Sequence, residues 1–129
     1  MKLSTMLAAG LTLAFIPAAH AQTKNPPGVN PAHYQCYRVS QAKPLKPVAL
    51  KLKDQFGAWG PKLGNALFLC APVSKNGEDV KDQLTHLTCY QIPAKNAGKK
   101  VLVTHQLGEQ VLTVGGTVFM CLPSLKKVM

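Results

Sequence analysis

The chain has 129 residues, a formal net charge of +10 and four cysteines. A chain this short forms one domain, which excludes a multidomain architecture. It buries a smaller fraction of its surface than a larger protein does, so its apolar core alone is marginal. Small exported domains commonly compensate with disulfides, and an even number of cysteines fits that solution.

The first 21 residues have the three parts of a secretory signal peptide. Lys2 precedes an apolar run from Leu3 to Ile16, and Ala19-His20-Ala21 supplies the small-x-small pattern at which such signals are cut. The apolar run is about 14 residues, shorter than the roughly 20 that span a bilayer, which disfavours a retained anchor. The sequence therefore predicts a signal peptide at residues 1–21, a secreted or periplasmic protein, and no transmembrane segment after cleavage.

A flexible leader is predicted at residues 22–32, which are rich in proline and have little to bury. The rest of the chain contains a repeat. Residues 33–39 (HYQCYRV) match residues 86–92 (HLTCYQI), and a second frame aligns QFG at 55–57 with QLG at 106–108. The same frame aligns a glycine, a phenylalanine, a cysteine and a proline of the first copy with the same residue types in the second. We therefore predict one duplicated domain at residues 33–127, with units at 33–77 and 86–127.

The local patterns indicate strands, since several segments alternate apolar with polar residues or are short apolar runs stopped by proline. In chain order these segments are the Cys-Tyr segment at 33–39, 48–53, 66–73, the Cys-Tyr segment at 86–92, 101–104, 111–114 and 117–122. Residues 59–62 contain proline beside glycine and predict an irregular edge. Residues 74–79 form a turn-rich connector. No segment has a helical period. The prediction is an all-β protein, in which two tandem pseudo-equivalent units of three to four strands form one small sandwich or barrel.

The four cysteines allow three disulfide pairings. The duplication favours one disulfide within each unit, Cys36 to Cys70 and Cys89 to Cys121, because a single ancestral unit would need its own. Pairing across the units, Cys36 to Cys121 with Cys70 to Cys89, also respects the duplication and stays open. Zinc binding is disfavoured, because structural zinc sites use closely spaced cysteine pairs and none is present. We expect no metal and no cofactor.

Few residues indicate catalysis. Three of the five carboxylates fall in the connector or just after it, where a solvated turn explains them, and no activated nucleophile motif is present. Asp54 of the first unit aligns with His105 of the second, so the two units differ in charge at one matched position. We expect no enzyme activity; a small secreted enzyme or enzyme inhibitor, using Trp59 or the Asp54/His105 position, is the alternative.

The positive charge is the feature that predicts partners. Lys51 and Lys53 are expected on one strand face of the first unit, and Lys99 and Lys100 lie at the matching place in the second. Such a field attracts anionic surface polymers, although it also serves solubility. Trp59, with glycine and proline around it, is the candidate contact residue. Specific nucleic-acid recognition needs exposed aromatics between the basic residues, and the two Cys-Tyr tyrosines look structural instead.

These motifs resemble a family of secreted bacterial repeat proteins whose units carry H-x-x-C-Y, then D-Q-F-G, then L-C-x-P. The first unit fits at residues 33–37, 54–57 and 69–72, whereas the second departs with HQLG at 105–108 and MCLP at 120–123. The function of that family is unknown. The resemblance implies a bacterial exported module and supplies no catalytic residue.

The sequence as a whole predicts an exported noncatalytic module. Its expected ligand is an anionic envelope polymer or a protein partner.

Overall fold

Every regular element that the structure describes is a β-strand. The structure is a computed structural model and describes Gly10 and residues 24–129. In chain order the strands are β1 (Tyr34–Arg38), β2 (Val48–Ala49), β3 (Leu52–Asp54), β4 (Gly57–Trp59), β5 (Lys62–Leu63), β6 (Ala66–Pro72), β7 (His86–Gln91), β8 (Asn96–His105), β9 (Gly108–Gly116) and β10 (Phe119–Ser124). All pairings are antiparallel. The all-β prediction is confirmed, whereas the predicted signal peptide lies outside the described residues except for Gly10.

The predicted leader contains no strand in its described part, residues 24–32. A turn forms there, in which Val29 donates its backbone N–H to the carbonyl of Pro26 at 3.2 Å. The predicted units begin directly after this segment with β1.

A four-stranded sheet in the order β1-β6-β7-β10 forms the centre of the protein. Its inner strands contain Cys70 and Cys89, which are only 3% and 1% exposed, while all five residues of β1 are exposed. The other strands pair only within hairpins, so β1 and β10 remain open edges among the described residues. The sheets therefore do not close into the barrel that the sequence allowed. Pro123 also removes one backbone donor from β10, which limits further pairing there.

Two disulfides cross the central sheet between directly opposite residues. Cys36 on β1 is bonded to Cys70 on β6, and Cys89 on β7 is bonded to Cys121 on β10. This is the pairing favoured from the duplication, not the pairing across units. The Sγ atoms of Cys70 and Cys89 lie 4.0 Å apart. Disulfide sulfurs carry no proton, so this is a van der Waals contact, and the two disulfides form one row across four strands.

The hydrogen-bond pattern explains why a disulfide fits at these positions. Ile92 donates its N–H to the carbonyl of Val118, which makes these two residues a hydrogen-bonded pair. Because such pairs alternate along an antiparallel ladder, Cys89 and Cys121 form a non-hydrogen-bonded pair, in which opposite residues are closest. Their Cα atoms are 3.9 Å apart. In the other ladder, Val39 donates its N–H to the carbonyl of Leu67, so the same alternation makes Cys36 and Cys70 a non-hydrogen-bonded pair. Their Cα atoms are also 3.9 Å apart.

Hairpin 1 consists of β2 to β5. The predicted strand at 48–53 forms its first arm, interrupted between β2 and β3, and Pro61 interrupts the second arm, as expected for an irregular edge. A two-residue turn follows Asp54, whose Oδ1 accepts the N–H of Phe56 at 2.8 Å. Gly57 closes the turn with a φ of 138°, a conformation that residues with a Cβ rarely adopt.

Hairpin 2 consists of β8 and β9 and is longer than predicted. The expected strands at 101–104 and 111–114 are present, but pairing extends from Asn96 to Gly116 because no proline interrupts it. Its turn, at Gln106 and Leu107, again has two residues and ends in a glycine of positive φ. Each predicted unit thus contributes one disulfide and one hairpin. The hairpins differ in length and continuity, and the equivalence of the two units as wholes stays a prediction.

The tip of hairpin 2 is held against the connector by Glu78. Gln106, which is 6% exposed, donates its side-chain N–H to Glu78 Oε1 at 2.7 Å. His33 Nε2 and Lys75 Nζ lie 2.9 and 3.1 Å from Glu78 Oε2. The expectation of a merely solvated carboxylate was therefore wrong for Glu78. Its sequence neighbours predict the turn, but only the fold brings the other hairpin to it.

Removal of either disulfide is expected to destabilise the protein. Each closes a loop of about 33 residues, so the paired substitutions C36A/C70A or C89A/C121A should lower the free energy of unfolding by about 3 to 4 kcal/mol. Denaturant titration of the oxidised variants measures this loss, with the wild-type protein in reductant as the reference for losing both bonds. An unchanged unfolding midpoint in reductant would contradict the structural role of the disulfides.

The Glu78 cluster predicts a specific acid sensitivity. The hydrogen bonds from Lys75 and then Gln106 lower the pKa of Glu78 from its ordinary value of 4.5. A carboxylate with a lowered pKa stabilises the fold above its unfolded pKa, and this contribution is lost as the pH falls through the folded pKa. The E78Q variant should therefore be less stable than wild type near neutral pH and lose less stability between pH 5 and pH 2.

The matched control is D79N, which removes the neighbouring charge. The pKa of Asp82 is also lowered, mainly by the Thr85 hydroxyl, so some acid sensitivity should remain in every variant. Thermal melting across this pH range distinguishes the variants. If D79N reduced the loss of thermal stability between pH 5 and pH 2 and E78Q did not, the stabilising role assigned to Glu78 would be wrong.

Candidate functional site

The one tryptophan of the chain lies where the two hairpins meet. Trp59 ends β4, faces Leu52 across hairpin 1 and is partly exposed. The Lys95 ammonium lies 5.7 Å from the centroid of the Trp59 ring, within the range of a cation–π interaction. Lys95 Nζ also donates a hydrogen bond to the carbonyl of Ala58 at 2.8 Å. A cation from the second unit is therefore fixed beside the indole of the first.

A backbone clip holds Lys95 in this position. Its N–H donates to Thr117 Oγ1 at 2.8 Å, and the N–H of Thr117 donates to the Lys95 carbonyl at 3.1 Å. The Thr117 hydroxyl in turn donates to the carbonyl of Pro93 at 2.6 Å. A Cβ at Gly116 would lie 3.2 Å from the Cβ of Ala94, so the close approach of these two segments favours glycine there. The clip therefore depends on β7 and β10 being neighbours.

Two adjoining cavities surround Trp59, with volumes of about 220 and 260 Å³. Both are lined by Asp54, Gly57, Trp59 and Thr117. We call the two together the Trp59 cleft. A concave site with apolar walls and a few convergent polar groups is the usual form of a ligand site.

The walls of the cleft combine aromatic rings with positive charge. The first cavity adds Phe56 and Lys95, and the second adds Phe119 and Lys53. Phe56 is 44% and Phe119 42% exposed, so both rings present a face to solvent. Asp54 is the only carboxylate that lines the cleft among the described residues. The cleft can thus stack flat groups and attract anions, and Asp54 adds a charged acceptor of hydrogen bonds that lines both cavities.

The predicted lysines are divided by the structure. Lys53 lines the second cavity, whereas Lys51 is exposed between β2 and β3 and lines neither. Lys99 lies opposite Val114, which lines the first cavity, and opposite residues share one face of a hairpin. Lys100 projects to the other face, because successive residues of a strand alternate. Trp59 and Lys53 are thus brought together in the cleft, Lys99 lies on the hairpin face next to it without lining it, and Lys51 and Lys100 lie elsewhere.

Sequence reasoning did not select Lys95, Thr117 or Phe119 as site residues. They follow Trp59 by 36 or more positions, and nothing in the local pattern near them indicates contact with hairpin 1. The signal that identifies Trp59, an aromatic residue between glycines and a proline, is absent at these three positions.

The Asp54/His105 position does not form a joint site. Asp54 lies in the Trp59 cleft, whereas His105 lines a different cavity together with His33. Nδ1 of His105 accepts the N–H of Leu107 at 3.0 Å and so takes part in the turn of hairpin 2. Within residues 24–129 and Gly10, no cluster of His, Cys, Asp or Glu could hold a metal ion.

No protein-family model matches the chain, and no significantly similar protein was found among the curated proteins or the solved structures. The resemblance to secreted bacterial repeat proteins therefore stays a prediction. In the part of the chain that the structure describes, no helix is long and apolar enough to cross a membrane.

The position of Lys95 predicts an effect on quenching of Trp59 fluorescence by anions. A charge 5.7 Å away contributes about 0.7 kcal/mol in water, and screening in about 0.1 M salt reduces this to about 0.4 kcal/mol. The ammonium should therefore enrich iodide near the ring roughly twofold. The K95M variant should lower the iodide quenching constant by about this factor and leave quenching by neutral acrylamide almost unchanged. K81M, which removes a lysine that does not line the cleft, is the control. Equal quenching in K95M and wild type would place the ammonium away from the indole.

Proposed function

We propose that this protein is an exported noncatalytic module that binds an anionic envelope polymer at the Trp59 cleft. The signal-like segment at residues 1–21 supports export, as do two disulfides, which persist in oxidising compartments. The bacterial origin implied by the motif resemblance belongs to the same proposal.

One observation carries the proposal: aromatic rings and a lysine of hairpin 1 converge on one cleft with Lys95, which directly precedes hairpin 2, and with Phe119 of β10. Trp59 with Lys53 comes from hairpin 1, Lys95 precedes β8, and Lys99 lies on the adjoining face of hairpin 2. Low-dielectric walls focus the field of such charges and raise the local concentration of anions. The large net positive charge of the chain adds long-range attraction to the same ligand.

The geometry favours binding over catalysis. A hydrolase with paired carboxylates needs two acids that converge across a cleft, and the Trp59 cleft is lined by Asp54 alone. One oxygen of Asp54 is already used by the N–H of Phe56.

A protein partner is the second candidate, and strand β1 favours it. β1 is an open edge of the central sheet and all its residues are exposed. Tyr34 and Tyr37 are 37% and 54% exposed on its two faces. An extended segment of another protein could pair with such an edge by β-strand addition.

Cosedimentation with purified cell-wall and outer-membrane fractions tests the polymer proposal. We expect binding of the oxidised protein that falls several-fold from low to high salt, because the Debye length shrinks from about 30 Å at 0.01 M to about 8 Å at 0.15 M. The K53Q/K95Q variant, which removes the two lysines that line the cleft, should bind at least fivefold more weakly than wild type. K43Q/K46Q removes the same charge from residues that do not line the cleft and should retain most of the binding.

If the two double variants lost the same amount of binding, the attraction would come from the overall positive charge and not from the Trp59 cleft. Binding that resists salt but is lost in W59A would indicate an apolar ligand instead. Absence of binding at both low and high salt would overturn the polymer proposal and favour a protein partner at β1.

A further inference from the structure

We infer that the ligand of the Trp59 cleft is an acidic glycan, a chain of sugar rings that carries carboxylate groups, rather than a polymer of phosphates alone. This inference rests on the proposed function and specifies its ligand class. Three features of the cleft carry it: aromatic rings in both cavities, one lysine in each cavity, and a carboxylate-bearing residue that lines both.

The aromatic rings divide the cleft into two subsites. Phe56 lines the first cavity, Phe119 lines the second, and Trp59 lines both. Each cavity is about the size of one sugar ring, with volumes of about 220 and 260 Å³. The apolar faces of sugar rings stack on aromatic side chains, because the faces of aromatic rings are flat and apolar. The edges of the aromatic rings stay in contact with water. Successive rings of one chain could thus stack on Phe56 and on Phe119, with Trp59, whose ring lies under Lys95, contributing to both subsites.

The lysines are also divided between the subsites. Lys95 lines the first cavity and Lys53 the second. Lys95 is fixed by its bond to the Ala58 carbonyl, whereas Lys53 is exposed on β3. One positive charge for each ring-sized cavity matches a chain with one acid group per sugar.

Asp54 distinguishes the two polymer classes. Its carboxylate lines both cavities, within a set of lysines that attract anions. A phosphate chain has only hydrogen-bond acceptors at this position, so it is repelled by Asp54. A sugar has hydroxyl groups that donate hydrogen bonds to a carboxylate, and bonds to a charged acceptor are the stronger ones. Asp54 therefore favours hydroxyl-bearing ligands.

The D54N variant tests this difference, since it should change the affinity for the two classes in opposite directions. Asn retains the Oδ1 that accepts the Phe56 N–H, so the turn of hairpin 1 should persist. Fluorescence of the single Trp59 reports binding of two probes, a linear tetramer of hexuronic acid and inorganic polyphosphate of similar length. We expect D54N to bind the hexuronate at least fivefold more weakly and polyphosphate equally or more tightly. Unchanged thermal melting of D54N confirms that its fold is retained.

The outcomes separate this inference from the proposed function. If wild-type protein binds polyphosphate as tightly as the hexuronate, or if D54N weakens both alike, the glycan inference fails while anion binding stands. If the protein binds neither probe nor envelope fractions, the proposed function fails with it. The wild-type comparison decides between the probes even if D54N does not fold.

Discussion

The row of two disulfides across the central sheet is the constraint on which the rest of the structure depends. Of the described apolar residues, only Pro61, Leu63, Cys70, Cys89 and Ile92 are buried, and two of these are the inner cysteines themselves. So small a core cannot offset the conformational entropy of four strands and two hairpins. The disulfides reduce that entropy in the unfolded chain and also fill the centre of the sheet, where the Sγ atoms of the two bonds meet.

The cleft is a consequence of this sheet. The Cys89–Cys121 disulfide keeps β7 beside β10, so the segments that follow β7 and precede β10 also lie together. Hydrogen bonds between Lys95 and Thr117 form at that point and hold the backbone of Lys95. From this position the Lys95 ammonium reaches the ring of Trp59. A covalent bond in the sheet thereby determines a cation–π contact between the hairpins. Loss of this disulfide should therefore disturb the cleft as well as the stability.

The acidic residues are few, and Glu78 and Asp54 differ in role: Glu78 stabilises the fold, whereas Asp54 lines the cleft. Glu78 accepts hydrogen bonds from the connector and from hairpin 2, so its charge serves the fold. Asp54 holds the turn of hairpin 1 with one oxygen and lines the cleft, where it opposes the surrounding lysines. A carboxylate in an anion-attracting cleft is unfavourable for a plain polyanion. It becomes favourable when the ligand also donates hydrogen bonds.

The sequence by itself determined the all-β class and most of the strands, because these follow from local alternation. The repeat favoured the observed disulfide partners but left the pairing across the units open. The sequence also identified Trp59 and its basic surroundings. Only the tertiary structure decided that Lys95 and Phe119 join Trp59, that Lys100 points away, and that Glu78 meets Gln106. These contacts join residues distant in the chain, and they depend on strand order and register in the central sheet, which local residue patterns do not encode.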